Sequence, residues 1–213
     1  MESYPLSGDG MGLGGRSEPR QRERGRMDGM GTLGSVGEAG APVRYSVETR
    51  WLHWSCAWLV LAQFVLGELM HRVPKALHGP IVSAHLSLGV LLAALFVMRV
   101  AWRVTGGRAI RFPARDGLAG WAARAMHGVL YLALGAEIGL GYLARWSGGK
   151  PVTAFGAVIN SPFGPMSQAT HHLFGSAHGW LAWAIMILAA GHVAAVLYHV
   201  RVVRDGVLRR MWA

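Results

Sequence analysis

Apolar positions along the chain gather into four long runs, and the charged positions lie between them. The runs cover about 51–70, 81–103, 119–144 and 176–201. Each supplies the roughly 20 mostly apolar residues that a membrane-spanning helix needs. None alternates with period two over its length, which argues against a transmembrane barrel. The pattern therefore predicts an all-α fold, a transmembrane four-helix bundle. The third run is the least regular, because it carries Glu137. Residues 1–44 are different: eleven glycines, six acidic and six basic residues, and no apolar cluster. Such a segment has too little apolar surface to offset its chain entropy and is expected to be disordered. It also lacks the apolar core of a signal peptide. Two regions follow, a 1–44 tail and a 45–213 membrane domain.

Composition agrees. Of the 213 residues, 52% are apolar and 15% charged. The excess of 21 basic over 11 acidic residues invites a nucleic-acid reading. The tail is neutral, however, and the surplus cations flank the apolar runs, so lipid is the expected partner and nucleic acid is not. Eleven arginines, Arg50, Arg99, Arg103, Arg108, Arg111, Arg115, Arg124, Arg201, Arg204, Arg209 and Arg210, fall near the spans on one side. Arg72, Lys75, Arg145 and Lys150 fall on the other. By the positive-inside rule both termini are expected in the cytoplasm. The single cysteine, Cys56, excludes an internal disulfide and a Cys-ligated metal cluster within one chain.

Histidines carry the candidate chemistry, because ionisable groups inside a membrane are costly and commonly functional. His53 lies near the inner end of the first run, His85 near the outer end of the second. His178 and His192 are both in the fourth, 14 residues apart. That spacing is about 40° short of four full turns and about 21 Å along the axis, so one helix face offers two ligands at two depths. Partners at each depth come from His85 and from His53, and His127 at the inner end of the third run competes with His53. Two facing histidines in an apolar bundle suit the two axial positions of haem iron, and with both positions filled they favour electron transfer over oxygen binding. Gly89, Gly179 and Gly191 are candidates for the small residues against which a macrocycle lies. His71, His78, His171 and His172 fall in the outer connections.

Several segments together resemble the bacterial cytochrome b561 family: RYS at 44–46 with LHW at 52–54, AHLSLG at 84–89 with Arg99 and Arg103, HGVLYLAL at 127–134, GKPVTAFG at 149–156, and HGWLAW with GHVAAVLYH and DGVLRRM in the fourth span and tail. The resemblance covers about 44–213. It implies two haems b, held by His53 and His192 on the cytoplasmic side and by His85 and His178 on the outer side. It also implies quinone-linked transmembrane electron transfer. The chain departs from the family at Ile138, where third spans tend to carry proline, and in its glycine-rich tail.

Other residues follow from charge. Arg50, Arg99 and Arg103 sit at the inner haem's depth and offer guanidinium forks to its propionates. Glu137 is a candidate proton relay. The 145–176 connection, with Trp146, Lys150, Phe155 and Phe163, is expected to fold over the bundle mouth and cap a quinone or small-donor site. The basic outer residues are compatible with superoxide or a soluble redox protein as donor, and the chain could form an oligomer. Two rival readings stand: a cytochrome b anchor subunit of a dehydrogenase or hydrogenase, and a haem-free histidine-lined metal transporter.

Overall fold

The computed structural model describes residues 45–106, 117–204 and 207–212. The tail expected at 1–44, and Arg108, Arg111 and Arg115 on the arginine-rich side, lie outside these residues. Four helices are long and apolar enough to cross a membrane. They are α1 (Val47–Met70), α2 (Lys75–Thr105), α3 (Leu118–Ser147) and α4 (Gln168–Tyr198). A π-helical turn, His199–Val203, prolongs α4, and a short α5 (Val207–Met211) follows.

The helices overrun the apolar stretches that announce them. α4 starts eight residues before the run at 176, because Ser167 caps it: the Ser167 hydroxyl accepts from the Thr170 N–H at 3.2 Å. His171 and His172 are thereby helical, and so is His78, since α2 starts at Lys75 and carries Pro80 inside its second turn. Only His71 is left in a connection, as the residue that ends α1. Proline is tolerated near a helix start because few backbone bonds are lost there.

The 145–176 connection is more ordered than its composition suggests. It holds a β-hairpin, β1 (Val152–Ala154) antiparallel to β2 (Ala157–Ile159), with Ala154 opposite Ala157. The two turn residues Phe155 and Gly156 both have positive φ, 50° and 84°. That is the sense of turn that matches the twist of two-residue hairpins. The hairpin folds back against α2, where the Phe155 N–H donates to the Ser87 hydroxyl at 3.2 Å. Val152 and Ala154 are buried beneath it.

α1 packs along α2, and α3 along α4, so the bundle is two antiparallel helical pairs. The protein core is small: Leu52, Cys56, Leu92 and Leu95, with Leu59, Val60, Trp102, Leu134 and Ile138 against it. Large apolar residues such as Trp58, Leu132 and Ile187 stay exposed. This is expected where lipid, rather than more protein, covers the outer face of a bundle. α3 runs unbroken through Ile138, which packs against the core. At the end where α1 begins, the C-terminal α5 returns to α1. The Arg50 guanidinium donates to the Trp212 carbonyl at 3.0 Å, and the Trp54 indole to the Met211 carbonyl at 3.1 Å.

Candidate functional site

A cavity of about 290 Å³ lies between the two helical pairs, at the β-hairpin end of the bundle. α2 supplies His85 and α4 supplies His178, with ring centroids 6.2 Å apart and planes at 87°. Glycines make room around them. A methyl group on Gly141 would come within 3.2 Å of the His178 Cε1, and one on Gly67 within 3.8 Å of the His85 Cε1. Gly89 and Gly179 also line the cavity, as the sequence suggests. Gly191 does not, and meets nothing within 4 Å. Gly67 and Gly141 escaped the sequence reading; their signal is that each lies at a histidine's depth on a neighbouring helix.

Polar groups at this cavity divide into held and unheld. The His178 Nδ1–H donates to the Glu137 carboxylate Oε1 at 2.9 Å, with the Glu137 carbonyl at 3.3 Å. That contact fixes the tautomer and leaves the Nε2 lone pair free. Gln63 donates to the His85 carbonyl at 3.0 Å. In contrast His85 Nδ1, Gln63 Oε1 and Glu137 Oε2 are buried without a hydrogen-bond partner. Buried polar atoms are ordinarily satisfied, so a cluster of three unsatisfied ones marks a place built around something else. Gln63 was not among the residues singled out, although a lone amide in an apolar run is a visible signal.

The opposite end gathers more residues than a simple pair. His127 and His192 meet edge to face, 5.1 Å between centroids. His53 lies within electrostatic range of both. Its Nδ1 accepts from the Arg99 guanidinium at 2.9 Å, and Arg99 Nε donates to the Tyr131 hydroxyl at 2.8 Å. Arg103 stacks over the Tyr131 ring at 5.7 Å. The third arginine, Arg50, is engaged instead with the Trp212 carbonyl. His127 Nδ1 bonds the Ala123 carbonyl at 2.6 Å. Tyr131, one turn beyond His127, is the residue here that the sequence reading missed.

The connecting loop brings together only part of its predicted cap. Trp146 meets Phe163 at 6.0 Å and Tyr142 at 5.1 Å. Phe155 is at the hairpin tip, and Lys150 lines a separate cleft with His78 and Arg145.

The model of the prokaryotic cytochrome b561 family matches residues 44–213. The chain belongs to the prokaryotic cytochrome b561 family. A cytochrome b561 member is a membrane haem b protein of electron transfer, and four spanning helices make this one multi-pass. Two curated relatives agree. Cytochrome b561 homolog 2 of Escherichia coli (strain K12) is 34% identical over 181 residues, 80% of this chain and 92% of the relative. Cytochrome b562 of Cereibacter sphaeroides is 30% identical over 167 residues, 75% of this chain and 89% of the relative.

The hairpin-end cavity fits a haem on its own evidence: two imidazoles from facing helices, unsatisfied polar atoms, and glycines where a methyl would crowd a ligand ring. The other end fits by donor type. It offers three imidazoles, and an arginine whose buried Nη1 has no partner.

Proposed function

We propose that this cytochrome moves electrons across the bacterial inner membrane between two haems b, with both termini in the cytoplasm. His85 and His178 hold one haem at the outer, hairpin end. His192 and His53 hold the other at the inner end, His53 once Arg99 turns from its Nδ1 to the haem's carboxylates and the ring proton moves to Nδ1. Each bound haem supplies one-electron ferric–ferrous chemistry. The chain's own residues do the rest. α4 sets the separation, since His178 and His192 are 14 residues apart on a continuous helix, about 21 Å. Arg99 and Arg103 supply cations for the inner haem's carboxylates.

A quinol or quinone is the lipid-soluble partner, drawn from the respiratory pool. The outer face, with Arg145, Lys150 and His78 around one cleft, suits an anionic donor such as superoxide.

The observation that carries this reading is the meeting of His85 and His178 from facing helices in the cavity, with His85 Nδ1 buried and unpartnered. The test is haem quantification per chain with the reduced-minus-oxidised visible spectrum. Two low-spin haems are expected in the unaltered protein. His85→Ala or His178→Ala should leave one, His53→Ala or His192→Ala should leave the other, and His127→Ala should keep both. A haem lost in His127→Ala but retained in His53→Ala would transfer the inner ligand to His127. A colourless chain made with ample haem would end the proposal.

A further inference from the structure

We propose that Glu137 is a positioning residue which makes the His85–His178 haem the low-potential member of the pair. This rests on the reading that those two histidines hold a haem.

Three observations carry it. First, the Glu137 carboxylate takes the Nδ1–H of His178 at 2.9 Å. A carboxylate on the far nitrogen of a metal-bound imidazole makes that imidazole a stronger donor, and fixes its tautomer and ring plane. A stronger donor stabilises ferric over ferrous iron and so lowers the potential.

Second, among the described residues no lysine or arginine lines the cavity beside the Glu137 carboxylate. The other acid there, Glu68, is matched by Arg72 at 2.9 Å and also accepts from the Trp183 indole. Arg145 and Lys150 line the separate cleft. The ion pair of Glu137 is with His178 itself, and its second oxygen is buried and unpartnered.

Third, the opposite end carries the opposite charge. The Arg99 guanidinium sits 2.9 Å from His53 Nδ1. A cation beside an iron favours its reduced, less positive state. The two ends of α4 are therefore biased in opposite directions, and an electron received at the hairpin end runs down in energy toward the Arg99 end.

The test is a potentiometric titration of the holoprotein in membranes, following both haems by visible absorbance, for the unaltered chain, Glu137→Gln and Glu137→Asp. Glu137→Gln keeps size and a carbonyl acceptor but removes the charge. It should retain both haems and raise the lower midpoint by at least tenfold in the electron's equilibrium, about 59 mV for one electron. The higher midpoint should stay in place. His53→Ala, with its single remaining haem, should show the lower midpoint and the same rise when combined with Glu137→Gln. If Gln costs the haem while Asp keeps it at a low potential, the carboxylate is still required and the proposal stands. Unchanged midpoints in Glu137→Gln would overturn it. So would a lower midpoint that belongs to the His53–His192 haem, or equal loss of haem from Gln and Asp, which marks a packing role. Retention of both haems in His178→Ala would instead remove the ligand assignment, a failure visible without touching Glu137.

Discussion

At the scale of single residues the cavity is shaped as much by what is missing as by what is present. Gly141 faces the His178 ring so closely that an added methyl would sit 3.2 Å from Cε1. Contacts that short force a neighbour to shift, and His178 is tethered through Glu137. Gly141→Val adds two methyls beyond that point. On the two-haem proposal it should drop the bound haem from two toward one per chain, measured by haem quantification, while circular dichroism keeps its helical signal and the inner haem stays. Two haems in the valine variant would show that the ring can move aside. The histidines behind this prediction were legible in the sequence, because helix periodicity alone puts residues 14 apart on one face. Glu137's role was not. Its depth could be read from the chain, but its meeting with His178 depends on how α3 is rotated against α4, which no local pattern records. The same holds for Arg99: its charge and depth were visible, and its bond to His53 was not.

Elements were more legible than contacts. The four apolar runs gave the four spans, since a bilayer demands long unbroken apolar segments. Their ends were not given, because a helix capped above the lipid needs no apolar residues. Ser167 begins α4 inside a stretch that reads as a loop. The hairpin is a second case. Three-residue strands are too short to show alternation, and the turn hides its geometry behind Phe155, a residue that rarely adopts φ of 50°. That backbone carries strain of order 1 kcal/mol or more in a bulky residue. Phe155→Asn keeps the Phe155 N–H that bonds Ser87 and gives the turn the Asn-Gly pair it favours. The variant should be more stable by about 1 kcal/mol, seen as a higher thermal midpoint of the purified cytochrome. A lower midpoint would mean that the exposed Phe155 ring contributes more through its own contacts than its backbone costs.

On the scale of the whole molecule, each helical pair is well knit and the two pairs are not. α1 lies along α2 and α3 along α4, while α2 and α3 meet only briefly. Across the gap, Phe64 and Trp183 meet at 4.9 Å, and the Trp183 indole bonds Glu68 at 3.0 Å. Between the pairs lies the cavity, with imidazoles drawn from both: His85 from the first, His178 from the second. A group bound there bridges the seam, so its binding energy adds directly to the stability of the bundle. Binding to the folded state alone stabilises by about 4 kcal/mol when the ligand is present at a thousand times its dissociation constant. Protein made under haem limitation should therefore retain helical content, since each pair is held by its own packing. It should unfold at a distinctly lower temperature than the haem-loaded form, and be cut faster by protease in the connections between the pairs. His85→Ala with His53→Ala should behave like the haem-limited protein even when haem is supplied, because one ligand is then gone from each end. Equal thermal midpoints with and without haem would show that the two pairs hold together unaided, through Trp183 and the small shared core, and that the cofactors occupy a site already closed.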